Sequence, residues 1–203
     1  MNICILKGSP RKNGNTNALT DPFSSALTSA GCSVTAIDLN EMDVRSCTAC
    51  RWCQKDWSRA ACIQKDDFQQ IIDAVTACDL LVLATPIYSW YCTPRMKAVL
   101  DRLVYAMNMY YGDKKGPSLW EGKAAALIVT CGYPPERGAD LFEEGMRRYC
   151  RHSRLQYLGM LCERHMGYQT IFMDEEKERH AETFARMVLD QMRDKVIQRQ
   201  ELQ

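Results

Sequence analysis

The sequence predicts a single α/β domain, an open and mostly parallel sheet with helices on both faces. Three observations carry this. Apolar segments of strand length alternate with segments of helical period along the chain. The central strand candidates, 79–84 (DLLVLA) and 124–130 (AAALIVT), are almost continuously apolar, as parallel strands covered on both faces must be. The chain has 203 residues, the size of one domain, and no repeat, low-complexity tract or linker divides it. Residues 1–203 are read as one unit with an irregular, cysteine-rich loop at about 40–65.

The elements follow in order. Residues 2–6 are a short strand ended by Lys7 and Gly8. Residues 16–30 read as a helix with Leu19, Phe23, Ala26, Leu27 and Ala30 on one face and Gly31 as its stop. Pro22 lies inside it and predicts either a broken first turn re-capped by Asp21 or a kink. Residues 33–39 are the second strand. Residues 66–77 are helical on Phe68, Ile71, Ile72 and Val75. The third strand, 79–84, leads to the clearest helix, 94–108, with Met96, Val99, Leu100, Leu103, Val104 and Met107 in register and Pro94 in its first turn. An aromatic loop at 110–122 precedes the fourth strand, 124–130. A helix at 139–152, a weaker fifth strand at 155–162 and a charged amphipathic helix from 174 to about 197 complete the chain. That last helix buries Ala181, Phe184, Ala185, Val188, Leu189 and Met192, and the final few residues are expected to fray.

Composition narrows the function classes. Lys and Arg number 26 against 25 Asp and Glu, and a nucleic-acid or polyanion binder would need a basic surplus. The longest apolar runs, such as 80–84, fall far short of the roughly 18 residues that span a bilayer. The first six residues read as a strand rather than an export signal, so a cytoplasmic location is expected. The odd feature is 11 cysteines. In a reducing compartment these are buried hydrophobes, metal or cluster ligands, or redox centres rather than structural disulfides.

Ligands of such sheets bind beyond the carboxyl ends of the strands, where strand order reverses. The loop after the first strand reads Gly8-Ser9-Pro10-Arg11-Lys12-Asn13-Gly14-Asn15-Thr16-Asn17. Two glycines allow tight turning, short polar side chains offer donors, and the following helix start adds a positive dipole end. Together they suit a phosphate, or, as plain structure, they cap the helix. The loop lacks both the G-x-G-x-x-G fingerprint and the G-K-[ST] of a P-loop. After the third strand comes Thr85-Pro86-Ile87-Tyr88-Ser89-Trp90-Tyr91, which can lie flat against a planar ring or simply pack. After the fourth comes Thr130-Cys131-Gly132-Tyr133-Pro134-Pro135.

The run G-S-P-R-x-x-G-N-T, the T-P-x-Y segment and the K-x-x-x-D-R at 97–102 resemble the NAD(P)H-dependent FMN reductase and iron–sulfur flavoprotein family. That resemblance covers about residues 1–190. It implies a flavodoxin-like three-layer sandwich with a five-stranded parallel sheet in the order 2-1-3-4-5. It further implies that Ser9, Arg11, Asn15, Thr16 and Asn17 wrap the FMN phosphate. Pro86, Ile87, Tyr88, Ser89 and Trp90 would contact the flavin ring, and Thr130, Cys131, Gly132 and Tyr133 would close over its pyrimidine side. The implied activity is electron transfer from NAD(P)H through bound FMN to a quinone, nitro, azo or similar acceptor, by a homodimer or homotetramer. Flavin carries the chemistry, so no catalytic side chain is assigned. The Tyr105, Tyr110, Tyr111 and Trp120 region is a candidate subunit interface. A carrier that serves a redox-protein partner is the alternative, and a flavin-binding sensor is a third reading. Asp101 and Arg102 are read as a structural charge pair.

Cys47, Cys50 and Cys53 at C-x-x-C-x-x-C spacing, with Cys62 after eight more residues, can reach one cluster. The resemblance points to a 4Fe–4S cluster beside FMN, although the last gap is longer than that subgroup's. A redox-active dithiol, a structural zinc and free thiols packed over the flavin stay open. Cys4, Cys32, Cys78, Cys92, Cys150 and Cys162 read as small packing residues. His152, His165 and His180 show no ligand spacing, and each reads as a surface or packing residue; His165 falls after the fifth strand, where it can approach the site, but is assigned no role.

Overall fold

The structure is a computed structural model, and it describes residues 1–167 and 169–201, with side chains through residue 194. In chain order the elements are Asn2–Lys7 (β1), Asn15–Ser29 (α1), Ser33–Asp38 (β2), Phe68–Ala77 (α2), Leu80–Pro86 (β3), Pro94–Met107 (α3), Ala124–Cys131 (β4), Pro135–Gly138 (α4), Asp140–Ser153 (α5), Gln156–Arg164 (β5) and Glu175–Glu201 (α6). The five strands form one sheet in the order β2-β1-β3-β4-β5, and every pairing is parallel. The expected order and architecture hold.

Strand side chains alternate between two cores, as a period of two requires. Cys4, Leu6, Leu81, Leu83, Ala125, Leu127 and Val129 face a core closed by α2, α3 and α5. Ile3, Ile5, Leu80, Val82, Ala126 and Ile128 face the other, closed by α1 and α6. All eight residues of β4 are buried, which accounts for its lack of any polar alternation. β5 is an edge strand with mostly half-buried residues, so its pattern in the sequence is weaker. Its pairing with β4 shifts register between Ala125 and Ala126, beside Gly159 at φ 127°, a conformation that suits glycine.

Some boundaries differ from expectation. α1 runs unbroken through Pro22; its two flanking turns are held by Leu19, Phe23 and Leu27 in the core, and tertiary burial outweighs one missing N–H bond. α2 begins at Phe68 rather than at 66: Asp66 stays outside the helix, its carboxylate accepting from the Phe68 N–H at 3.3 Å and from Arg102. α6 continues to Glu201, past the expected end near 197; the expected fraying at 202–203 lies outside the described residues. No helix among the described residues is long and apolar enough to cross a membrane.

Two packing expectations are corrected. Trp120 is buried at 1% exposure, its Nε1 donating to Asn108 Oδ1 at 2.9 Å. It is core rather than interface. Asp101 does not pair with Arg102: it pairs with Lys97 one helical turn away, while Arg102 points the other way, into the protein.

Candidate functional site

The site assembles where the order reverses, between β1 and β3, at the carboxyl ends of the strands. The loop after β1 is bound down before it turns. Gly8 N–H donates to Ala84 O at 2.8 Å, and Thr93 Oγ1 donates to Gly8 O at 2.8 Å. Asn17 Nδ2 reaches back to Lys12 O at 2.8 Å, and Asn40 Nδ2 donates to Ser9 O. A Cβ on Gly14 would lie 3.0 Å from Arg11 Cβ and from Arg11 O, so the turn closes only around glycine. Gly14 is the N-cap of α1 and no side chain caps that end. The first-turn N–H groups have no intrahelical acceptor and carry the positive end of the helix dipole.

The loop after β3 holds two consecutive left-handed residues, Ser89 at φ 48° and Trp90 at φ 64°. They form a two-residue turn closed by Tyr88 N–H to Tyr91 O at 2.8 Å and Tyr91 N–H to Tyr88 O at 3.0 Å. Two non-glycine residues in that region cost about 1–3 kcal/mol each. The turn projects Trp90 outward, where its ring stacks on Tyr133 of the next loop at 6.1 Å and 10° and its Nε1 donates to Arg137 O at 3.0 Å.

The loop after β4 is tied to its neighbours. Ile87 N–H donates to Thr130 O at 2.8 Å, Thr16 Oγ1 and Thr130 Oγ1 share a hydrogen bond of 2.7 Å, and Arg164 Nε donates to Gly132 O at 3.0 Å. Cys131 Sγ lies 3.5 Å from Cys162 Sγ. The hydrogen bond from Cys162, helped by the nearby Arg164 charge, lowers the Cys131 thiol. The same bond, together with burial, raises that of Cys162.

These loops wall two adjoining clefts. One, of about 370 Å³, is lined by Arg11, Asn15, Pro86, Ile87, Thr130, Cys131, Gly132 and His165 among others. The second, of about 610 Å³, is lined by Ile87, Tyr88, Ser89, Trp90, Cys131, Gly132 and Tyr133 among others. The structure thus gathers most residues singled out from sequence. Ser9, Thr16 and Asn17 are buried beneath the loop and shape it rather than line the cleft. His165, which the sequence places after the fifth strand within approach of the site but to which it assigns no role, completes the first cleft's wall together with Gly167, which sequence reasoning missed.

The cysteine loop is a separate construction. Cys47, Cys50, Cys53 and Cys62 converge on one cavity of about 20 Å³ together with Arg102 and Tyr105. The loop has almost no regular structure, only a short turn at Trp52–Gln54, and polar side chains hold it. Arg102, 2% exposed, donates from both terminal nitrogens to Asp66, at 2.5 and 3.0 Å, and to Arg45 O at 3.1 Å. Its guanidinium also covers the Phe68 ring at 4.0 Å and lies against Cys62. Burial works against the Asp66 carboxylate, but the Arg102 hydrogen bonds and the Arg45 N–H outweigh it and hold it below the usual range. Gln54 is the second anchor. Its Nε2 donates to Tyr105 O at 2.6 Å and Asn108 O at 3.0 Å, and its Oε1 accepts from Tyr111 N–H at 3.0 Å.

All 11 cysteines are free thiols. Among the described residues no three His, Cys, Asp or Glu side chains stand as a single-ion site, so the structure lends the zinc reading no support. Four thiolates are the donor type an iron–sulfur cluster takes, but the described residues do not bring three of them together as a metal-holding group. The space among them is small, about 20 Å³, enough for roughly one water.

Comparison with known proteins agrees with this geometry. An iron–sulfur flavoprotein of Archaeoglobus fulgidus is 31% identical over 127 residues, 63% of this chain and 53% of that protein. An FMN-dependent NADH:quinone oxidoreductase of Hahella chejuensis is 34% identical over 80 residues, 38% of this chain and 39% of its own length. The matched part of the chain spans little more than half the length of the Archaeoglobus relative. A solved archaeal flavodoxin superposes with a TM-score of 0.58 at 11% identity, covering 95% of this chain and 99% of that one, which shows a flavodoxin-like fold. The sequence profile described as NADPH-dependent FMN reductase matches residues 1–158. The chain therefore belongs to the NADPH-dependent FMN reductase family.

Proposed function

We propose that the chain is an FMN-dependent oxidoreductase that takes electrons from NADH or NADPH and passes them to a small acceptor of the quinone, nitro or azo class. The observation that carries this reading is the uncapped N-terminus of α1 opening on a cleft walled by three strand-end loops. A helix start of that kind binds an anionic phosphate, and Arg11 and Asn15 stand at its rim. Trp90 and Tyr88 offer flat apolar surface at the adjoining cleft. When bound, FMN supplies hydride acceptance and two-electron release. The protein's share is to anchor the phosphate, wall the ring, and present backbone N–H groups where negative charge collects. The Hahella relative, named for NADH:quinone oxidoreduction, supports the acceptor class.

The test is direct. Purified protein should bind FMN with quenched flavin fluorescence and should oxidise NADH or NADPH when a quinone is added. Protein that neither binds FMN nor consumes either nucleotide sinks the reading.

A second reading adds a 4Fe–4S cluster at Cys47, Cys50, Cys53 and Cys62, making the chain an electron carrier to a redox protein. It is favoured by the convergence of four thiols on one cavity and by the name of the Archaeoglobus relative. Iron and sulfide analysis with an absorption spectrum of anaerobically purified protein decides it. About four of each per chain supports the cluster; none removes it. A homodimer or homotetramer, with the Tyr105, Tyr110 and Tyr111 region as its candidate interface, is tested by sedimentation.

A further inference from the structure

Most cysteines outside the loop are built to be inert. Burial pushes the thiols of Cys4, Cys92 and Cys150 up to about 12 and that of Cys78 up to about 11. Cys131 and Cys162 differ. They sit at the carboxyl edge on neighbouring strands, their sulfurs 3.5 Å apart. Cys131 lines both clefts with 6% of its surface exposed, and Cys162 beside it is half-buried. Arg164, whose guanidinium reaches Gly132 O, places a positive charge beside the pair. Glu136 and Glu163 oppose it, but the Cys131 thiol is still lowered, with the Cys162 hydrogen bond as the largest cause. A thiol beside a guanidinium at the wall of an open cleft is placed to react. In the thiol state Cys131 donates to Tyr133 O at 3.0 Å.

We propose that Cys131 and Cys162 form a redox pair, Cys131 meeting a small hydroperoxide in the open cleft and Cys162 resolving it to a disulfide. In the first step the Cys131 thiolate attacks the terminal oxygen of the hydroperoxide. The O–O bond breaks, the alcohol or water leaves with a proton, and Cys131 becomes a sulfenic acid. In the second step the Cys162 sulfur attacks the Cys131 sulfur. The S–S bond forms, the S–O bond breaks, and hydroxide leaves with the Cys162 proton as water. Two electrons pass from the two thiols to the peroxide.

Register predicts how this disulfide behaves. Cys131 pairs with Arg164, and Cys162 pairs with Val129, so the two cysteines lie diagonally on the same face. Closing the sulfurs to about 2 Å draws the two strand ends together. A ligand filling the cleft would cover Cys131 and shield the pair; this shielding rests on the flavin reading above, whereas the disulfide itself does not.

The experiment treats the full chain, freed of flavin, with one equivalent of hydrogen peroxide, alkylates it and maps the peptides. The expected result is a linked Cys131–Cys162 peptide that dithiothreitol removes. In C162A the linked peptide is absent and a dimedone adduct appears on Cys131; in C131A, Cys162 stays reduced. Saturating FMN should slow the reaction at least about tenfold. The wild-type map decides even where a variant folds poorly. Oxidation confined to other cysteines, or equal oxidation of Cys162 in C131A, overturns the proposal. Unslowed oxidation in a sample whose spectrum shows bound FMN overturns the shielding. Failure to bind any FMN, with the linked peptide present, overturns the flavin reading and leaves the redox pair standing.

Discussion

The cleft at the strand ends and the cysteine loop are both irregular backbone, yet they are held in opposite ways. The cleft hangs from the sheet: its anchors are backbone groups and short hydroxyls, such as Gly8 N–H to Ala84 O, Ile87 N–H to Thr130 O and the Thr16–Thr130 pair. The cysteine loop leans on α3 from outside, through two long side chains, Arg102 and Gln54, that reach into it or out of it. The first design spreads its support over many bonds; the second concentrates it in a few buried polar groups. Removing one side chain should therefore hurt the loop far more than the cleft.

The largest effect is expected at Arg102. Replacing it by methionine leaves the Asp66 carboxylate buried, at 0% side-chain exposure, without its bidentate partner and with only the Arg45 guanidinium 3.7 Å away, which costs up to about 3–5 kcal/mol. Urea unfolding measures this. If the two regions are as independent as their anchors suggest, alkylation of Cys47–Cys62 accelerates in R102M while FMN binding at the cleft holds in the folded fraction. Equal loss at both would break the contrast. The same ion pair carries a pH signature. Asp66 has a folded value below its unfolded one of about 3.9, so its contribution is complete above that value and is lost as pH falls through the lower, folded value. The loop should thus loosen only in acid below about pH 4, and a loop whose thiols open already near neutrality would contradict this.

Gln54→Leu comes next. It leaves the carbonyls of Tyr105 and Asn108 and the Tyr111 N–H without the amide they share, at about 1–3 kcal/mol, read as a shift in the urea midpoint. Gly14→Ala probes the other region. Its new Cβ meets Arg11 at 3.0 Å and moves the rim of the phosphate turn. FMN affinity should fall by roughly tenfold, about 1.4 kcal/mol, with the urea midpoint nearly unchanged; a variant that binds FMN as tightly as the parent would remove the turn from the site. The smallest effects come from the left-handed residues in both regions. Ser89→Gly in the cleft and Ala49→Gly in the loop, at φ 48° and 52°, should each stabilise by a few tenths to about 1 kcal/mol. A destabilised S89G would show that the Ser89 side chain does more than tolerate its backbone.

The contrast also explains what could be read in advance. The cleft was legible because strand-end placement is a rule of the fold class and because its residues are contiguous: 8–17, 85–91 and 130–133 each lie in one loop. His165 could be placed near the site but given no role, because a single histidine after an edge strand carries no ligand pattern. The loop's cysteines were visible as spacing, but their anchors were not. Arg102 looked like half of a helix-surface pair with Asp101, and only the packed chain shows it spanning from α3 to Asp66. Trp120 looked like a loop aromatic and lies in the core.

By itself the sequence determined the alternation of strands and helices, the two buried central strands and the polar glycine turn that opens α1, because these depend on side-chain period and local backbone freedom. Tertiary structure alone decided that helix α1 runs through Pro22, that α2 waits until Phe68, and that Cys131 meets Cys162. Each of these is settled by partners distant in the chain, whose energy of burial or hydrogen bonding outweighs any local preference.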